Sequence, residues 1–318
     1  MSVRERITAA LSSDSVPIVL TGGGGWLGQA TLDFLDEALG HAMLKRVFVY
    51  GSHTRMLPLR SGRSVECNAL EALAGYAGPP PLVLHYACLT KDRVADHGAQ
   101  AFLAANKQIR ETVAAFIERR GAYGMFLPSS GAVYGPGRSL GPAPDENPYG
   151  AAKLLDEQRF AALALKNGAP LVIARIFNLA GPFINKPEAY AIADFLLALI
   201  EGRRIEIRAR GSVYRSYLHV EDLLLMALGI LLLAPDTHLV QFDTEGEVTI
   251  EVEDLARRAA MLLDRLEVPI HRAAPDGRPD DVYVGDGKAM RAIANGLDLP
   301  LRVLDRQILD TARYLKGE

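Results

Sequence analysis

A tyrosine and a lysine, Tyr149 and Lys153, stand four residues apart in a stretch whose pattern predicts a helix. At that spacing both side chains project from one helix face, one turn apart. Tyrosine has a pKa near ~10 in water, and a neighbouring ammonium group lowers that pKa by stabilising the phenolate. The pair can therefore give a proton to, or take one from, the oxygen of a reacting alcohol or carbonyl group. The same spacing also arises by chance on surface helices, so neighbouring motifs must support this interpretation.

Two serines, Ser129 and Ser130, lie upstream, after the apolar run Met125–Leu127 that predicts a strand. A hydroxyl group at this point can hydrogen-bond the reacting oxygen and hold it against Tyr149. Two serines after a strand are also ordinary turn formers.

A glycine-rich turn follows the first apolar run of the chain, Val16–Leu20. Gly22, Gly25 and Gly28 are spaced G-x-x-G-x-x-G, and the helix-like stretch Gln29–Leu39 comes next. The first glycine permits a tight turn, the second leaves room for a pyrophosphate group, and the third lets helix and strand pack closely. Because N–H groups at a helix start attract anions, the segment predicts a dinucleotide site.

The segment after the second predicted strand, Val47–Tyr50, bears on which nicotinamide dinucleotide binds. A protein specific for NAD usually has an acidic residue here, which binds the 2′-hydroxyl of the adenosine ribose. No acidic residue is present there, and Ser52, His53 and Arg55 can instead surround a 2′-phosphate. The sequence thus favours NADP, with NAD as the alternative if Arg55 only faces solvent.

Short apolar runs alternate with helix-like stretches through the first half of the chain. The predicted strands are Val16–Leu20, Val47–Tyr50, Leu82–Tyr86, Met125–Leu127 and Leu171–Arg175, and the predicted helices are Gln29–Leu39, Ala99–Arg119 and Gly150–Lys166. This alternation predicts an α/β fold with a Rossmann-like, doubly wound parallel sheet. We expect a dinucleotide-binding domain at 1–180 with part of 210–245, and a smaller C-terminal substrate-binding lobe mainly at 181–318. Ile205–Ile207 is predicted as an isolated strand.

Composition narrows the possible partners and location. The chain has 318 residues, a net charge of −3 and 49% hydrophobic residues, which suits one large or two modest domains. Charges of both signs are spread along it, so no nucleic-acid surface is predicted.

Met1–Ser15 lacks the apolar stretch of a secretory signal, and Leu223–Ala234 is too short to span a bilayer and predicts a buried helix. Cys67 and Cys88 stand at no metal-ligand spacing. These features predict a cytoplasmic protein without metal, membrane or nucleic-acid partners.

Eight short motifs follow one another along nearly the whole chain. They are Gly22-x-x-Gly25-x-x-Gly28, His85-Tyr86-Ala87-Cys88, Asn106, Ser129-Ser130-Gly131-Ala132-Val133-Tyr134-Gly135, Tyr149-x-x-x-Lys153, Arg175-Ile176-Phe177-Asn178-Leu179-Ala180-Gly181-Pro182, Arg215-Ser216-Tyr217-Leu218-His219-Val220-Glu221-Asp222 and Gly277-Arg278-Pro279-Asp280-Asp281. Each motif alone is only weakly specific for any one protein family. Together, in this order, they resemble the extended short-chain dehydrogenase/reductases of the sugar-nucleotide epimerase/dehydratase family.

The resemblance implies catalytic roles for three residues. Tyr149 matches the acid/base, and Lys153 matches the residue that lowers its pKa and binds the nicotinamide ribose. Ser130, four positions before Tyr134, matches the hydroxyl group that polarises the substrate oxygen. Ala87 matches the small residue beside the cofactor, and Asn106 the helix asparagine that supports the lysine. The implied cofactor-binding set is Gly22, Gly25, Trp26, Leu27, Gly28, Ser52, His53, Arg55, Ala87, Asn106, Tyr149 and Lys153.

The resemblance also implies substrate contacts and a reaction type. Asn178, Arg215 and Arg278 match positions that hold a nucleotide diphosphate, which suits the bidentate geometry of a guanidinium group. Surface salt bridges are the alternative role of the two arginines. The 4,6-dehydratases of the family carry an Asp-Glu pair after the hydroxyl residue, whereas Gly131 and Ala132 follow Ser130 here. Dehydration by that route is therefore not expected.

These observations predict an NAD(P)-dependent epimerase or 4-ketoreductase that acts on a nucleotide-diphosphate sugar. The resemblance further implies a homodimer formed through the helices Ala99–Arg119 and Gly150–Lys166. Two alternatives remain open: a reductase of the same fold that acts on a small carbonyl compound without a nucleotide, and a non-catalytic protein that binds a dinucleotide.

Overall fold

The computed structural model describes residues 1–234 and 237–318. The chain divides into two compact units. Unit 1 comprises Met1–Arg175 and Leu224–Phe242, and unit 2 comprises Ile176–Leu223 and Asp243–Glu318. The first boundary lies five residues before the expected position at 180.

Longer strands concentrate in unit 1, whereas those of unit 2 span only two or three residues. The strands are β1 Ile18–Thr21, β2 Val47–Gly51, β3 Arg55–Pro58, β4 Ser64–Ala69, β5 Leu82–His85, β6 Gly124–Ser130, β7 Leu171–Ile176, β8 Leu179–Ala180, β9 Ile205–Ile207, β10 Val213–Arg215, β11 Leu218–His219, β12 Leu239–Asp243, β13 Ile250–Glu251, β14 Ile270–Arg272 and β15 Asp281–Tyr283. The α-helices are α1 Val3–Ser13, α2 Trp26–Leu39, α3 Met43–Arg46, α4 Arg93–His97, α5 Ala99–Arg120, α6 Pro148–Asn167, α7 Ala191–Ile200, α8 Val220–Leu233, α9 Val252–Leu262, α10 Lys288–Gly296 and α11 Leu304–Lys316.

An eight-stranded sheet has the order β12-β7-β6-β5-β1-β2-β4-β3. β1 pairs in parallel with β2 on one side and with β5 on the other, so the strand order reverses at β1. β5 pairs in parallel with β6, whereas β3 runs antiparallel to β4 at the sheet edge. The doubly wound parallel sheet predicted from the sequence is therefore confirmed. Its reversal point places the glycine turn after β1 where such folds bind ligands.

The central strands are covered on both faces. All residues of β1, β5 and β6 are buried, as expected for parallel strands between helical layers. Phe116 of α5 and Phe160 of α6 lie in one core cluster with Val83 of β5. α5 and α6 therefore pack on one face of the sheet.

Some elements differ from the prediction. β6 continues through Pro128 to Ser130, although the polar serines suggest a turn after Leu127. α1, which begins with a capping box of Ser2 and Glu5, and the β3–β4 hairpin were not predicted. Both are short and partly exposed, so their apolar patterns are weak.

Unit 2 has its own core and small sheets. β10 lies between β13 and β15, and β8 pairs with β11. The strand predicted at Ile205–Ile207 is β9, but it is not isolated, because it pairs in parallel with β14. Leu199, Leu255 and Ile308 are fully buried in the core cluster of this unit.

The apolar run Leu223–Ala234 lies almost entirely in α8, whose first turn contains Glu221 and Asp222. The buried helix predicted there is confirmed. Within the ranges 1–234 and 237–318, no helix combines the length and apolar character needed to cross a membrane.

Candidate active site

The start of α6 sets the position of Tyr149. Asn147 is the N-cap, and its Oδ1 accepts a hydrogen bond from the Gly150 N–H at 2.9 Å. Pro148 occupies the first helical position, where its missing N–H costs nothing. Tyr149 is half-buried in the first turn, and Lys153 is 7% exposed one turn later. The predicted arrangement on one helix face is therefore present.

Lys153 is buried but remains charged. Its Nζ donates a hydrogen bond to the Pro128 carbonyl oxygen at 3.0 Å. Burial alone would lower its pKa, but the acidic groups of Cys88, Tyr149 and Asp156 outweigh burial and raise the pKa. The side chain is thus an ammonium group at neutral pH, close to the Tyr149 hydroxyl, as the proposed lowering of the tyrosine pKa requires.

Ser130 is the last residue of β6 and is buried, with 6% exposure. Its Oγ accepts a hydrogen bond from the Ala132 N–H at 3.1 Å. The Asn147 Nδ2 donates to the Ala132 carbonyl oxygen at 2.9 Å, and a side chain at Gly150 would clash with that oxygen. Gly150 therefore lets α6 pack directly on the turn after Ser130, which brings the serine and Tyr149 to one place.

The glycine turn has the shape that a dinucleotide needs. Gly22 has φ +78, and a Cβ atom there would lie 2.7 Å from the nitrogen of Ala87, two residues after β5. A Cβ atom at Gly28 would clash with the Gly22 carbonyl oxygen, so α2 packs against the turn only with glycine there. At Gly25 the only neighbour within 4 Å, among the residues the structure describes, would be the Gly22 oxygen at 3.4 Å. Space is thus left for a phosphate above Gly25.

The N-terminus of α2 adds to this cradle. Gly25 is the N-cap and supplies no side-chain hydrogen bond to the helix. The N–H groups of the first turn, which belong to Trp26, Leu27 and Gly28, have no carbonyl partner within an α-helix. An anion is favoured at such a helix end.

The three polar residues after β2 lie together beside the glycine turn. Ser52 Oγ is 3.0 Å from His53 Nδ1, and His53 Nε2 is 3.4 Å from Arg55 Nη1. All three side chains are exposed. A side chain at Gly24 would clash with Arg55 Nη2. The structure therefore places Arg55 against the glycine turn, with His53 and Ser52 next to it.

Residues after β5 form a wall against the glycine turn. The Ala87 N–H donates to Thr21 Oγ1 at 3.3 Å. Asn106 is buried, its Oδ1 accepts from the Leu89 N–H at 2.9 Å, and its Nδ2 donates to the Phe102 oxygen. Asn106 thus fastens the loop that carries Ala87, a role that the resemblance did not predict.

His85 at the end of β5 is a neutral residue of this wall. Its ring stacks on Phe160 with centroids 4.9 Å apart, and its Nδ1 lies 2.7 Å from Thr21 Oγ1. Burial and the charge of Lys153 lower its pKa to about 3.

The predicted substrate residues all lie in unit 2. Asn178 Nδ2 is 3.2 Å from the carbonyl oxygens of both Ser216 and Tyr283, to which it donates. Arg215 Nη2 pairs with Asp281 Oδ2 at 2.7 Å. The exposed Arg278 pairs with both carboxylate oxygens of Asp276, at 2.8 and 2.5 Å. Both arginines therefore have carboxylate partners.

Glu157 is a site residue that the motif pattern does not predict. It lies one turn beyond Lys153 on α6 and is 4% exposed. Its carboxylate accepts a hydrogen bond from Ser129 Oγ at 2.5 Å and pairs with Arg175. Its spacing of four from Lys153 is the signal that could have found it.

A comparison with protein families decides where the chain belongs. The model of the NAD dependent epimerase/dehydratase family matches residues 18–237, which include the glycine turn, Ser130, Tyr149 and Lys153. The chain belongs to this family. Family membership confirms the resemblance inferred from the motifs.

Two proteins with similar sequences show how far the sequence similarity extends. A UDP-glucuronic acid decarboxylase 5 of Arabidopsis thaliana is 27% identical over 164 residues, covering 48% of this chain and 47% of the relative. The chain thus spans about half the length of that relative. A UDP-glucose 4-epimerase of Mycoplasma genitalium is 23% identical over 274 residues, covering 76% of this chain and 80% of the relative.

Solved structures of two UDP-glucose 4-epimerases share the fold. A UDP-glucose 4-epimerase from Thermotoga maritima with UDP-glucose has a TM-score of 0.73 at 20% identity, covering 95% of this chain and 99% of that structure. A UDP-glucose 4-epimerase from Brucella ovis in complex with NAD has a TM-score of 0.71 at 21% identity, covering 94% and 98%.

Proposed function

We propose that this family member is an NAD(P)-dependent epimerase or 4-ketoreductase that acts on a nucleotide-diphosphate sugar. The observation that carries the proposal is the charged, buried Lys153 one turn from Tyr149, on a helix packed against the turn after Ser130. These three side chains and the glycine cradle lie in one unit. A non-catalytic protein that binds a dinucleotide would use Lys153 for the ribose but would have no need of the Ser130 hydroxyl group beside Tyr149.

In this proposal Tyr149 is the acid/base. The ammonium group of Lys153 stabilises the phenolate, so the Tyr149 hydroxyl can release its proton and take one from a sugar hydroxyl. The Ser130 hydroxyl donates a hydrogen bond to the same sugar oxygen and keeps it beside Tyr149. When bound, the nicotinamide ring supplies the acceptor or donor for a hydride.

We infer that the cofactor is NADP in preference to NAD. Ser52, His53 and Arg55 lie at the glycine turn, and no carboxylate follows β2 to bind a ribose 2′-hydroxyl. A 2′-phosphate beside Arg55 would form charge-assisted hydrogen bonds. The Brucella ovis structure contains NAD, so NAD is the alternative that the test must address.

For the substrate, we propose that Arg215, Arg278 and Asn178 hold the diphosphate of a nucleotide sugar. Both arginines form ion pairs with carboxylates, Arg278 through both oxygens of Asp276, and a diphosphate offers a guanidinium group a bidentate geometry of that kind. The Thermotoga maritima relative contains UDP-glucose, which makes a UDP-sugar the first class to test.

We also propose a homodimer formed through α5 and α6. These helices pack side by side in unit 1, and α6 leaves Leu155 at 47% and Leu165 at 87% exposure. Light scattering measures the mass of the purified protein in solution. A mass near that of two chains is expected, and a mass near that of one chain would contradict the proposal.

The first experiment identifies the dinucleotide that purified protein releases on denaturation, by mass spectrometry. NAD retained at one per chain would support the epimerase and argue against a 2′-phosphate site. An empty protein that takes up NADPH in preference to NADH would support the 4-ketoreductase. Absence of thermal stabilisation by any nucleoside diphosphate, at ligand concentrations about 100 times the expected Kd, would favour a substrate without a nucleotide.

A further inference from the structure

A buried hydrogen-bond network is centred on Glu157 in α6. Its Oε1 accepts from Ser129 Oγ at 2.5 Å and from Arg175 Nε at 2.9 Å. Its Oε2 accepts from Arg175 Nη2 at 2.7 Å and from Gln241 Nε2 at 2.9 Å. Four donors thus surround one carboxylate, and Glu157 and Arg175 are both more than nine-tenths buried.

Arg175 extends the network to Tyr134. Its Nη1 donates to the Tyr134 hydroxyl oxygen at 2.7 Å, and its guanidinium carbon lies 5.0 Å from the centre of that ring. The planar guanidinium group therefore joins Glu157 on one edge to Tyr134 on another. Such a bidentate pair holds both partners in one orientation.

The network fastens both sides of Ser130. Ser129 directly precedes it, and Tyr134 ends the turn that follows it. Lys153 adds a third attachment through the Pro128 carbonyl oxygen. The segment 128–134 is thus tied to α6, the helix that carries Tyr149, directly at Pro128 and Ser129, and through Arg175 of β7 at Tyr134.

We propose that Glu157 and Arg175 are positioning residues, which hold the Ser130 hydroxyl against the substrate oxygen through Ser129 and Tyr134. This inference rests on the proposed function of Ser130 and Tyr149. A buried ion pair contributes little to stability compared with apolar packing, because both charges lose their water. Its value here is geometric, since a small displacement of a substrate-positioning group lowers the rate strongly.

The test removes single hydroxyl groups and leaves the ion pair intact. Ser129→Ala deletes the bond to Glu157, and Tyr134→Phe deletes the bond to Arg175. Tyr76→Phe is the matched control, because the buried Tyr76 hydroxyl donates to the Pro79 oxygen at 2.9 Å outside this network. We expect each network variant to lower kcat by about tenfold or more, with KM and dinucleotide affinity unchanged, while the control keeps its kcat.

A double-mutant cycle with Ser130→Ala separates positioning from simple structural support. If Ser129 and Tyr134 act through Ser130, their substitutions have no further effect on kcat once Ser130 is alanine. The inference is overturned if they lower kcat equally in both backgrounds, or if they lower only the unfolding temperature.

Amide hydrogen exchange supplies a readout that does not depend on turnover. We expect faster exchange confined to residues 129–134 in Ser129→Ala and Tyr134→Phe, and unchanged exchange there in Tyr76→Phe. Unchanged exchange in the network variants overturns the inference. If no nucleotide sugar reacts but exchange in that segment rises, the proposed function fails while the network still holds the Ser130 segment.

Discussion

The Arg55 guanidinium group lies against Gly24, where a Cβ atom would come 2.0 Å from Arg55 Nη2. His53 and Ser52 continue this line of polar groups along the rim of the glycine turn. A cation and two hydrogen-bonding side chains thus follow β2, where a protein specific for NAD usually has a carboxylate.

Arg55→Ala is therefore expected to discriminate between the two dinucleotides. A hydrogen bond to a charged group contributes about 1.5–3 kcal/mol, so the variant should bind NADPH about 10- to 100-fold more weakly and NADH nearly as before. Fluorescence titration measures both affinities. Arg257→Ala, at an exposed ion pair on α9, is the control. Equal losses for NADPH and NADH would show that Arg55 does not contact the 2′-position.

Gly28→Ala is expected to abolish dinucleotide binding and to lower the unfolding temperature. The added methyl group would meet the Gly22 carbonyl oxygen and push α2 away from β1. Gly75→Ala is the matched control, because a Cβ atom there would have no neighbour within 4 Å in the described structure. Calorimetric titration measures the dinucleotide affinity of both variants, and thermal unfolding measures their stability. Normal dinucleotide binding by Gly28→Ala would argue against a dinucleotide site at the glycine turn.

Arg215→Ala and Arg278→Ala are each expected to weaken UDP binding by about tenfold or more, since a charge-assisted hydrogen bond is lost. Dinucleotide affinity should not change. Arg203→Ala, whose exposed side chain pairs with Glu201, controls for the loss of one positive charge. UDP affinities like that of the control would assign the two arginines to surface salt bridges alone.

Stability should fall in acid because of His85. Its folded-state pKa of about 3 lies below the ~6.5 of an unfolded histidine. Below pH ~6.5 the unfolded chain binds the extra proton, so the free energy of unfolding falls by up to about 1.4 kcal/mol per pH unit. Stability from this source is complete at neutral pH and is lost as the pH drops toward the folded pKa.

The measurement is urea unfolding of wild type and His85→Gln from about pH 7 to about pH 5. The variant should show the shallower dependence on pH. The difference between the two proteins is the decisive quantity, because burial raises the pKa of Asp33 to about 6, which acts in the opposite direction. Identical slopes would show that His85 does not titrate as the structure implies.

Much of the candidate site in unit 1 could be predicted because its signals are local. The glycine spacing and the apolar run of β1 lie within one short segment, and the helix period alone places Tyr149 and Lys153 together. Family motifs then assign Ser130. None of these predictions requires knowledge of contacts between residues that are far apart in the sequence.

The supporting contacts depend on the fold. Ser129 and Glu157 lie 28 residues apart, and Glu157 and Arg175 lie 18 residues apart. A charged residue on a helix is usually exposed, so the sequence alone predicts that Glu157 faces solvent. In the structure Glu157 is buried, and the buried Arg175 compensates its charge. The edge hairpin of β3 and β4 also escaped prediction, because its apolar residues are few and half of it is exposed.

The most direct test of the central claim is proton NMR of UDP-sugars incubated with the protein and the oxidised form of its preferred dinucleotide. UDP-4-keto sugars are incubated in parallel with the reduced form, which supplies the hydride. Wild type should convert at least one of them to a 4-epimer or a 4-hydroxy sugar, and Tyr149→Phe should bind dinucleotide and UDP normally but give no product. No conversion of any nucleotide sugar by protein that binds the dinucleotide, or conversion by Tyr149→Phe at the wild-type rate, would contradict the account.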